Sequence, residues 1–514
     1  MASVSRLNNA RRNLIKGLIK QLSVIILNFA VRTAILYALN AEYQGLSDLF
    51  TSILHVLNMS DLGFSAAVTY VLYKPIANED QETICAIIAF LKKVYRIVGL
   101  VIFGAGVVVM PFLPNLISGS YPSDLNLYAL FALYLFNTGC SYFLFAYKST
   151  LLTALQRDDL VSNAYTISFV ASRLIQIVLL FLFHNYYLFV LILPLGSIAN
   201  NLLLEVVSRK RYPNLVPDGR IDSETKKELI KQVKAVFINR MCDIARNSFD
   251  NIILSALVGL VVVAIYDNYY YIYSAIYGVM GIIAHAIIAS VGNSLVTENV
   301  EKNYNDMQKF TFAFMWIVGW CTICLGCLYQ PFMSLWMNYN QEMLLSTKNM
   351  LLFCLYFYAI SMTYTKGVYL EAKGLYWECR KWYIIEAIGN LLLNILLCHF
   401  FGVTGILAAT ILTIFFFNFL GGTSVLFKNY FVVGKARFYV SHLIYFGVTI
   451  ANFVIVFYLT HTLPIHGILG MFIRLAICLV VPNIIYLIVY FKTKRFSEVM
   501  VIVKRMVFRR KTVH

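Results

Sequence analysis

A succession of apolar segments, each about as long as a bilayer is thick, constrains the fold of this chain more than any other feature. One transmembrane helix needs about 20 predominantly apolar residues. About fourteen segments meet this requirement, at 16–40, 46–73, 84–113, 126–148, 160–183, 186–207, 233–260, 265–296, 309–331, 348–370, 382–399, 404–427, 438–460 and 467–491. Only 13% of the 514 residues are charged, against about 25% in soluble domains. The sequence therefore predicts an all-α polytopic membrane protein with about fourteen transmembrane helices.

The positions of lysine and arginine indicate the orientation of these helices. Neither residue occurs in the stretches 97–147, 174–208, 247–301, 310–347 and 382–427. Each stretch has the length of a helical hairpin with its turn, and basic residues flank it. Positive charge collects on the cytoplasmic side of membranes, so this pattern predicts an even number of spans with both termini in the cytoplasm. The same rule explains the net charge of +17 without nucleic-acid binding.

The longest inner loop divides the chain into two similar halves. This loop contains Pro213, Pro217 and Gly219, and an abrupt turn follows the first long helix of each half. The predicted organisation is a six-helix half at 1–208, a cytoplasmic linker at 209–230, a second six-helix half at 231–427, two additional helices at 428–491 and a basic cytoplasmic tail at 492–514. Six is even, so the halves are predicted to be parallel repeats with a binding site between them.

Four charged residues interrupt the seventh apolar segment and fall on one face of a helix. They are Arg240, Asp243, Arg246 and Asp250. Each charge costs roughly 3 kcal/mol at the centre of a membrane helix. A chain carries that cost where the face points into a helix bundle, a partner or a wet cavity, so this face is a candidate functional surface.

Enzyme motifs and metal-ligand patterns are not recognised in the sequence. Cys321, Cys324 and Cys327 have helical spacing, but no histidine or carboxylate lies near them in sequence, so they are interpreted as packing residues. There is no G-x-x-x-x-G-K-[ST] sequence for ATP binding. The predicted outer loops are short. We expect neither an enzyme nor a bound cofactor.

The topology and the polar positions together resemble a known family. The first segment carries Arg32 and ends in a short AEYQG turn, and the second reads LFTSILHVLNMSDLGFSAAVTYVLY and ends at Lys74–Pro75. Over the whole chain this pattern is similar to the polysaccharide exporters of the multidrug/oligosaccharidyl-lipid/polysaccharide (MOP) flippase superfamily, in the branch of O-antigen and oligosaccharide flippases. The resemblance implies a multi-pass protein of the bacterial inner membrane that flips undecaprenyl-diphosphate-linked oligosaccharides for surface polysaccharide assembly. Its implied partners are this substrate, membrane lipids and other polysaccharide assembly proteins.

Such a substrate would use the arginines for its anionic diphosphate. The candidates are Arg32, Arg240, Arg246 and Arg173. Each has a structural alternative. Arg32 could form an ion pair with Asp61, Arg240 and Arg246 could pair within their own helix, and Arg173 could extend toward the interface or pair structurally.

The carboxylates and aromatic residues have their own predicted roles. Asp61, Asp243 and Asp250 are candidates for ion coupling or for charge pairing, and proton and sodium coupling both stay open. Tyr273, Tyr277 and His285 are candidates for a sugar-facing wall, although His285 fits a packed histidine better than a proton relay. Glu386, Asn390 and Asn394 recur every fourth residue and favour hydrogen bonding between helices.

Three other functions compete with the flippase, and one of them is a non-transporting scaffold for the polysaccharide assembly complex. A drug/cation exporter of the same superfamily would prefer carboxylates and aromatic rings to three arginines at membrane depth. A membrane-embedded polymerase or glycosyltransferase would usually present catalytic groups on sizeable outer loops.

Overall fold

The computed structural model describes residues 2–58, 64–338, 340–462 and 467–508, and all regular elements in these ranges are helices. The α-helices are α1 (Ala2–Ala38), α2 (Ala41–Leu57), α3 (Phe64–Ala77), α4 (Gln81–Val109), α5 (Leu127–Phe143), α6 (Tyr147–Ala154), α7 (Asp158–Phe183), α8 (Tyr186–Arg211), α9 (Ser223–Leu257), α10 (Leu260–Thr297), α11 (Val300–Trp336), α12 (Thr347–Ser361), α13 (Tyr364–Lys373), α14 (Tyr376–Phe401), α15 (Val403–Thr413), α16 (Gly422–Leu426), α17 (Ala436–His461), α18 (Gly467–Tyr490) and α19 (Lys494–Phe508). Short 3₁₀ helices cover Met110–Leu116 and Gln341–Met343, and π-helical segments cover Ile414–Gly421 and Phe427–Phe431.

Every predicted span overlaps one or more of these helices. Within the described residues, ten helices or continuous helical stretches are long and apolar enough to cross a membrane. The pair α5 and α6, bent by 51°, brings the number to eleven if it counts as one span. The second predicted span consists of α2 and α3, with residues 59–63 outside the described ranges. An all-helical polytopic protein is therefore confirmed, whereas the total of fourteen spans stays a prediction.

Many apolar side chains on these helices face outward. Val108, Leu182, Phe400 and Ile488 each expose about two thirds or more of their surface. Water would disfavour such a surface, because soluble proteins rarely expose extended apolar patches. A hydrocarbon environment removes this cost, so the exposed faces are consistent with a bilayer around the helices.

The helices group into two units, Met1–Ala264 and Ile265–His514. Helix α9 therefore groups with the first unit, whereas the predicted second half begins at residue 231. The division of the chain into pseudo-symmetric halves stays a prediction.

In the first unit, asparagine caps set the turns between neighbouring helices. The Asn40 side chain accepts hydrogen bonds from the backbone N–H groups of Glu42 and Tyr43, at 2.8 and 3.3 Å, and so begins α2. His184, with a φ of 49°, ends α7, and Asn185 caps α8 directly after it. Each of these turns is two residues long. The helix pairs therefore form tight hairpins, α1 with α2 and α7 with α8.

In the second unit, tryptophans on α11 join it to α18. Trp316 Nε1 donates to Asn483 Oδ1 at 2.9 Å, and Trp320 Nε1 donates to the Cys478 carbonyl at 2.8 Å. The rings pack in an apolar cluster that includes Phe312. The predicted additional helices thus pack against the unit through specific hydrogen bonds as well as through apolar contact.

Candidate functional site

The structure places the predicted site residues in different parts of the molecule. Arg32, Arg173, Arg246 and Asp250 belong to the first unit. Tyr273 and Tyr277 belong to the second. Asp61 lies outside the described residues, as do the side chains of Arg240, Asp243 and His285.

Arg32 forms an ion pair with Asp48 on the next helix. Arg32 Nη1 donates to Asp48 Oδ1 at 3.0 Å, and Nη2 donates to Oδ2 at 2.9 Å. Gln44, one turn before Asp48 on α2, also donates to Oδ1 at 3.0 Å. This two-pronged geometry is the strong form of an arginine–carboxylate contact. The structural alternative considered for Arg32, an ion pair with the second span, is thus observed with Asp48, a residue that the sequence analysis did not single out.

Helix α2 carries a polar stripe that contacts both α1 and α9. Gln44, Asp48 and Ser52 recur every fourth residue, so they lie on one face of the helix. Ser52 Oγ accepts a hydrogen bond of 3.0 Å from Asn251 Nδ2 on α9. On the same part of α9, just before Asn251, the side chains of Arg246 and Asp250 are only 7% and 2% exposed. The two described residues of the charged face, Arg246 and Asp250, are therefore buried, as the cost of a charge in hydrocarbon requires.

Arg173 lines a polar cavity of about 240 Å³ inside the first unit. It lies near the middle of α7, and its guanidinium donates to Gln176 Oε1 at 2.8 Å and stacks 5.0 Å from the Phe169 ring. Helices α5, α7 and α8 supply the other polar lining residues, which are Asn137, Tyr165, Ser168, Ser172, Gln176, Ser197 and Asn200. No carboxylate in the described part of the chain forms an ion pair with Arg173. The cavity therefore holds a positive charge that no described acidic side chain neutralises.

A chain of hydroxyl groups joins α2, α5 and α8. Ser47 Oγ is 2.9 Å from the Tyr134 hydroxyl, which is 3.1 Å from the Tyr186 hydroxyl. Tyr134 interacts electrostatically with both Asp48 and Arg173. These hydroxyl groups therefore form a polar contact between α2, α5 and α8.

The tyrosines of α10 pack mainly against other aromatic rings. The Tyr273 ring stacks on Tyr356 with a centroid distance of 4.7 Å and is 2% exposed. Tyr277 stacks on Tyr273 at 5.9 Å and is half-buried. Packing accounts for the position of Tyr273 in this conformation, and a sugar-facing role for Tyr277 stays a prediction.

A buried polar network in the second unit was only partly visible in the sequence. Lys366 Nζ donates to Asn418 Oδ1 at 2.8 Å, and Asn418 Nδ2 donates to Glu386 Oε2 at 2.9 Å. Asn390 Nδ2 bonds the hydroxyls of Thr410 and Thr413 at 3.1 and 3.3 Å. The prediction of hydrogen bonding between helices is confirmed for Glu386 and Asn390. Lys366 and Asn418 were missed, although a lysine within the predicted span 348–370 was the available signal.

The fold and its buried charges define a class of polytopic membrane protein with polar interiors. The structure is similar to that of the lipid II flippase MurJ in an inward closed conformation, with a TM-score of 0.65, 15% identity, and coverage of 93% of this chain and 98% of that one. It is also similar to an inward-facing multidrug resistance MATE family transporter of the MOP superfamily, with a TM-score of 0.62, 12% identity and coverage of 80% and 97%. A third similar structure is a MOP superfamily transporter from Pyrococcus furiosus, with a TM-score of 0.56, 12% identity and coverage of 82% and 95%. These likenesses establish the fold of MOP superfamily transporters.

The sequence itself matches the family described as polysaccharide biosynthesis protein over residues 10–288, which is more than half of the chain. The chain belongs to this family. No curated protein matches the sequence.

Proposed function

We propose that this protein flips undecaprenyl-diphosphate-linked oligosaccharides across the bacterial inner membrane for the assembly of O-antigen, capsule or exopolysaccharide. Membership of the polysaccharide biosynthesis protein family and the fold shared with a lipid II flippase support this proposal. The predicted topology, with fourteen spans, cytoplasmic termini and alternating access between two halves, is part of it.

The observation that carries the proposal is the arginine-lined cavity of the first unit. A diphosphate needs a cation in a site of low dielectric, where charge-assisted hydrogen bonds are strongest. Arg173 supplies that charge, and the serine, asparagine and glutamine side chains around it can bond to sugar hydroxyls. We assign Arg173 as a primary contact for the diphosphate, with Arg32, Arg240 and Arg246 as further contacts.

Electrostatics disfavour a drug/cation exporter. A cationic drug would seek a carboxylate, but Asp48 is already held by both prongs of Arg32. The cavity near Arg173 would repel a cation. A drug-susceptibility panel in a pump-deficient host should therefore show no protection by this protein.

The test of the proposal is complementation of a flippase-deficient strain. We expect Arg173→Gln to abolish surface polysaccharide, because the neutral amide cannot replace the guanidinium toward a diphosphate, while the abundance of the protein in the membrane is unchanged. Surface polysaccharide is measured by immunoblot and protein abundance by a tag. The matched control is Arg220→Gln, an exposed arginine in the predicted cytoplasmic linker, which should complement fully. Normal polysaccharide from Arg173→Gln would remove this residue from the site.

A further inference from the structure

A second polar cavity, of about 350 Å³, lies at one end of the second unit. Its walls come from the last turns of α11 and α17 and from the first turns of α12 and α18. The polar lining residues are Gln330, Ser334, Thr347, Thr460, His461 and Arg474. Its volume is within the range of ligand pockets, about 300–1,000 Å³. In the predicted orientation these helix ends lie at the extracytoplasmic surface of the membrane.

Arg474 gives this cavity its charge. It is the eighth residue of α18, so it lies about 10 Å from the start of that helix, near the membrane interface. Its Nε donates to the Thr460 carbonyl at 3.1 Å. Thr460 lies in the last turn of α17, where carbonyl groups lack helical partners, so this bond caps α17.

The cap uses only one of the five N–H groups of the arginine. The four N–H groups on Nη1 and Nη2 have no protein acceptor in the described part of the chain. Aspartate and glutamate are absent from the described residues that line the cavity. Capping therefore accounts for the position of Arg474 but leaves four of its five N–H groups without a described protein acceptor.

Two neighbouring features add hydrogen-bond donors to the cavity. The N-terminus of α12 reaches the cavity at Thr347, directly after the Ser346 cap, and a helix N-terminus carries partial positive charge. His461 lies at the wall and stacks on Phe457 with a centroid distance of 5.1 Å, which fixes the ring. Arginine, helix terminus and imidazole are all groups that donate hydrogen bonds to phosphate oxygens.

We propose that this cavity binds the phosphate of a lipid headgroup at the extracytoplasmic end of the second unit. Arg474 binds the phosphate through its terminal N–H groups, and Thr347 and His461 complete the site. The phosphate belongs either to a membrane phospholipid or to the lipid-linked sugar after translocation. The proposal concerns binding alone and does not depend on the transport activity.

The experiment titrates full-length purified protein in detergent with three lipid probes and counts bound molecules by native mass spectrometry. The probes are dioleoylphosphatidylglycerol, undecaprenyl diphosphate and dioleoylglycerol, which lacks phosphate. We expect Arg474→Gln to weaken binding of a phosphate-bearing probe about tenfold, because a charge-assisted contact is lost, and to leave dioleoylglycerol unaffected. The probe with the larger loss identifies the source of the phosphate. Arg437→Gln, an exposed arginine at the opposite end of α17, is the matched control and should bind as the unmodified protein does.

A second variant keeps the test decisive if loss of the cap destabilises α17. Thr347→Glu leaves Arg474 in place and adds a carboxylate to the first turn of α12, where acidic residues favour the helix. The new charge repels phosphate or occupies Arg474 itself, so the same loss of binding is expected. Unchanged binding of both phosphate probes by a folded Thr347→Glu protein would overturn the proposal. Loss of flipping with intact binding would bear on the proposed function alone.

Discussion

At the scale of single residues, arginines in similar sequence contexts have different electrostatic surroundings. Arg32 and Arg173 each lie within an apolar stretch of a helix, more than one turn from its nearer end. Arg32 is held by Asp48, whereas Arg173 has only the neutral Gln176 and the Phe169 ring as its described close contacts. The sequence identified both arginines as candidates for the diphosphate site but ranked Arg173 last. Tertiary packing decides whether an arginine has an acidic partner, as Arg32 has in Asp48, 16 residues away.

The ion pair between Arg32 and Asp48 can be separated from substrate binding by a double substitution. We expect Asp48→Leu alone to lower membrane abundance, because a buried ion pair that loses one partner costs about 3–5 kcal/mol. Arg32→Met combined with Asp48→Leu should restore abundance, since it removes both charges. If Arg32 also contacts the diphosphate, the double variant will remain unable to export polysaccharide.

Abundance is measured by immunoblot of membranes and export by surface polysaccharide. A double variant that is both abundant and active would reduce Arg32 to a structural role. Failure of the double substitution to restore abundance would contradict the simple two-charge account of the pair.

At the scale of helices, close approaches depend on particular glycines. A Cβ atom on Gly45 of α2 would lie 2.0 Å from the Leu260 carbonyl oxygen at the start of α10. Backbone cannot yield as a flexible side chain can. The contact between α2 and the start of α10 therefore requires glycine at this position.

We expect Gly45→Ala to destabilise the protein by about 1–3 kcal/mol, through overpacking against backbone. The measurement is the melting temperature of the purified protein in detergent. Gly104→Ala in α4 is the matched control, since no atom lies within 4 Å of its added Cβ. Equal melting temperatures for the two variants would contradict this account.

The network of Lys366, Asn418 and Glu386 supports a second prediction at this scale. Lys366 is 1% exposed and Glu386 is 2% exposed, and Asn418 bonds both. Asn418→Leu removes an acceptor from a buried cation and a donor from a buried carboxylate, so we expect a loss of about 2–4 kcal/mol. Asn429→Leu, an exposed asparagine on the same helical stretch, should be neutral. Thermal unfolding of the two variants compares them, and equal stability would show that Asn418 does not hold the network together.

The sequence predicted the positions of the helices better than it predicted the contacts between them. Hydropathy located a helix for each predicted span, because a span in hydrocarbon must satisfy its backbone hydrogen bonds internally. It did not reveal the break between α12 and α13, or the π-helical segments after α15, because those depend on packing between helices. Lys366 was missed for the same reason: its partner Asn418 is 52 residues away.

At the scale of the whole molecule, topology is the prediction that most needs a direct test. The alternating helices and the distribution of basic residues predict that both termini lie in the cytoplasm. Alkaline phosphatase fused within 119–126 or 338–346 should be active, because that enzyme requires the periplasm. Green fluorescent protein inserted within 212–222 or fused after residue 514 should fluoresce, because it folds in the cytoplasm. The reverse pattern at any of these sites would change the span count.

The π-helical segment Ile414–Gly421 has a consequence for how the gene can change. A π turn holds one residue more than an α turn, so the segment contains a surplus residue. Deleting a residue from a regular membrane helix rotates everything beyond it by about 100° and turns lipid-facing groups inward. In the π-helical segment, deletion of one codon removes the surplus residue instead. The helical stretches on either side then keep the same faces toward lipid and toward the protein interior. This part of the chain is therefore where length variation between natural variants should be tolerated.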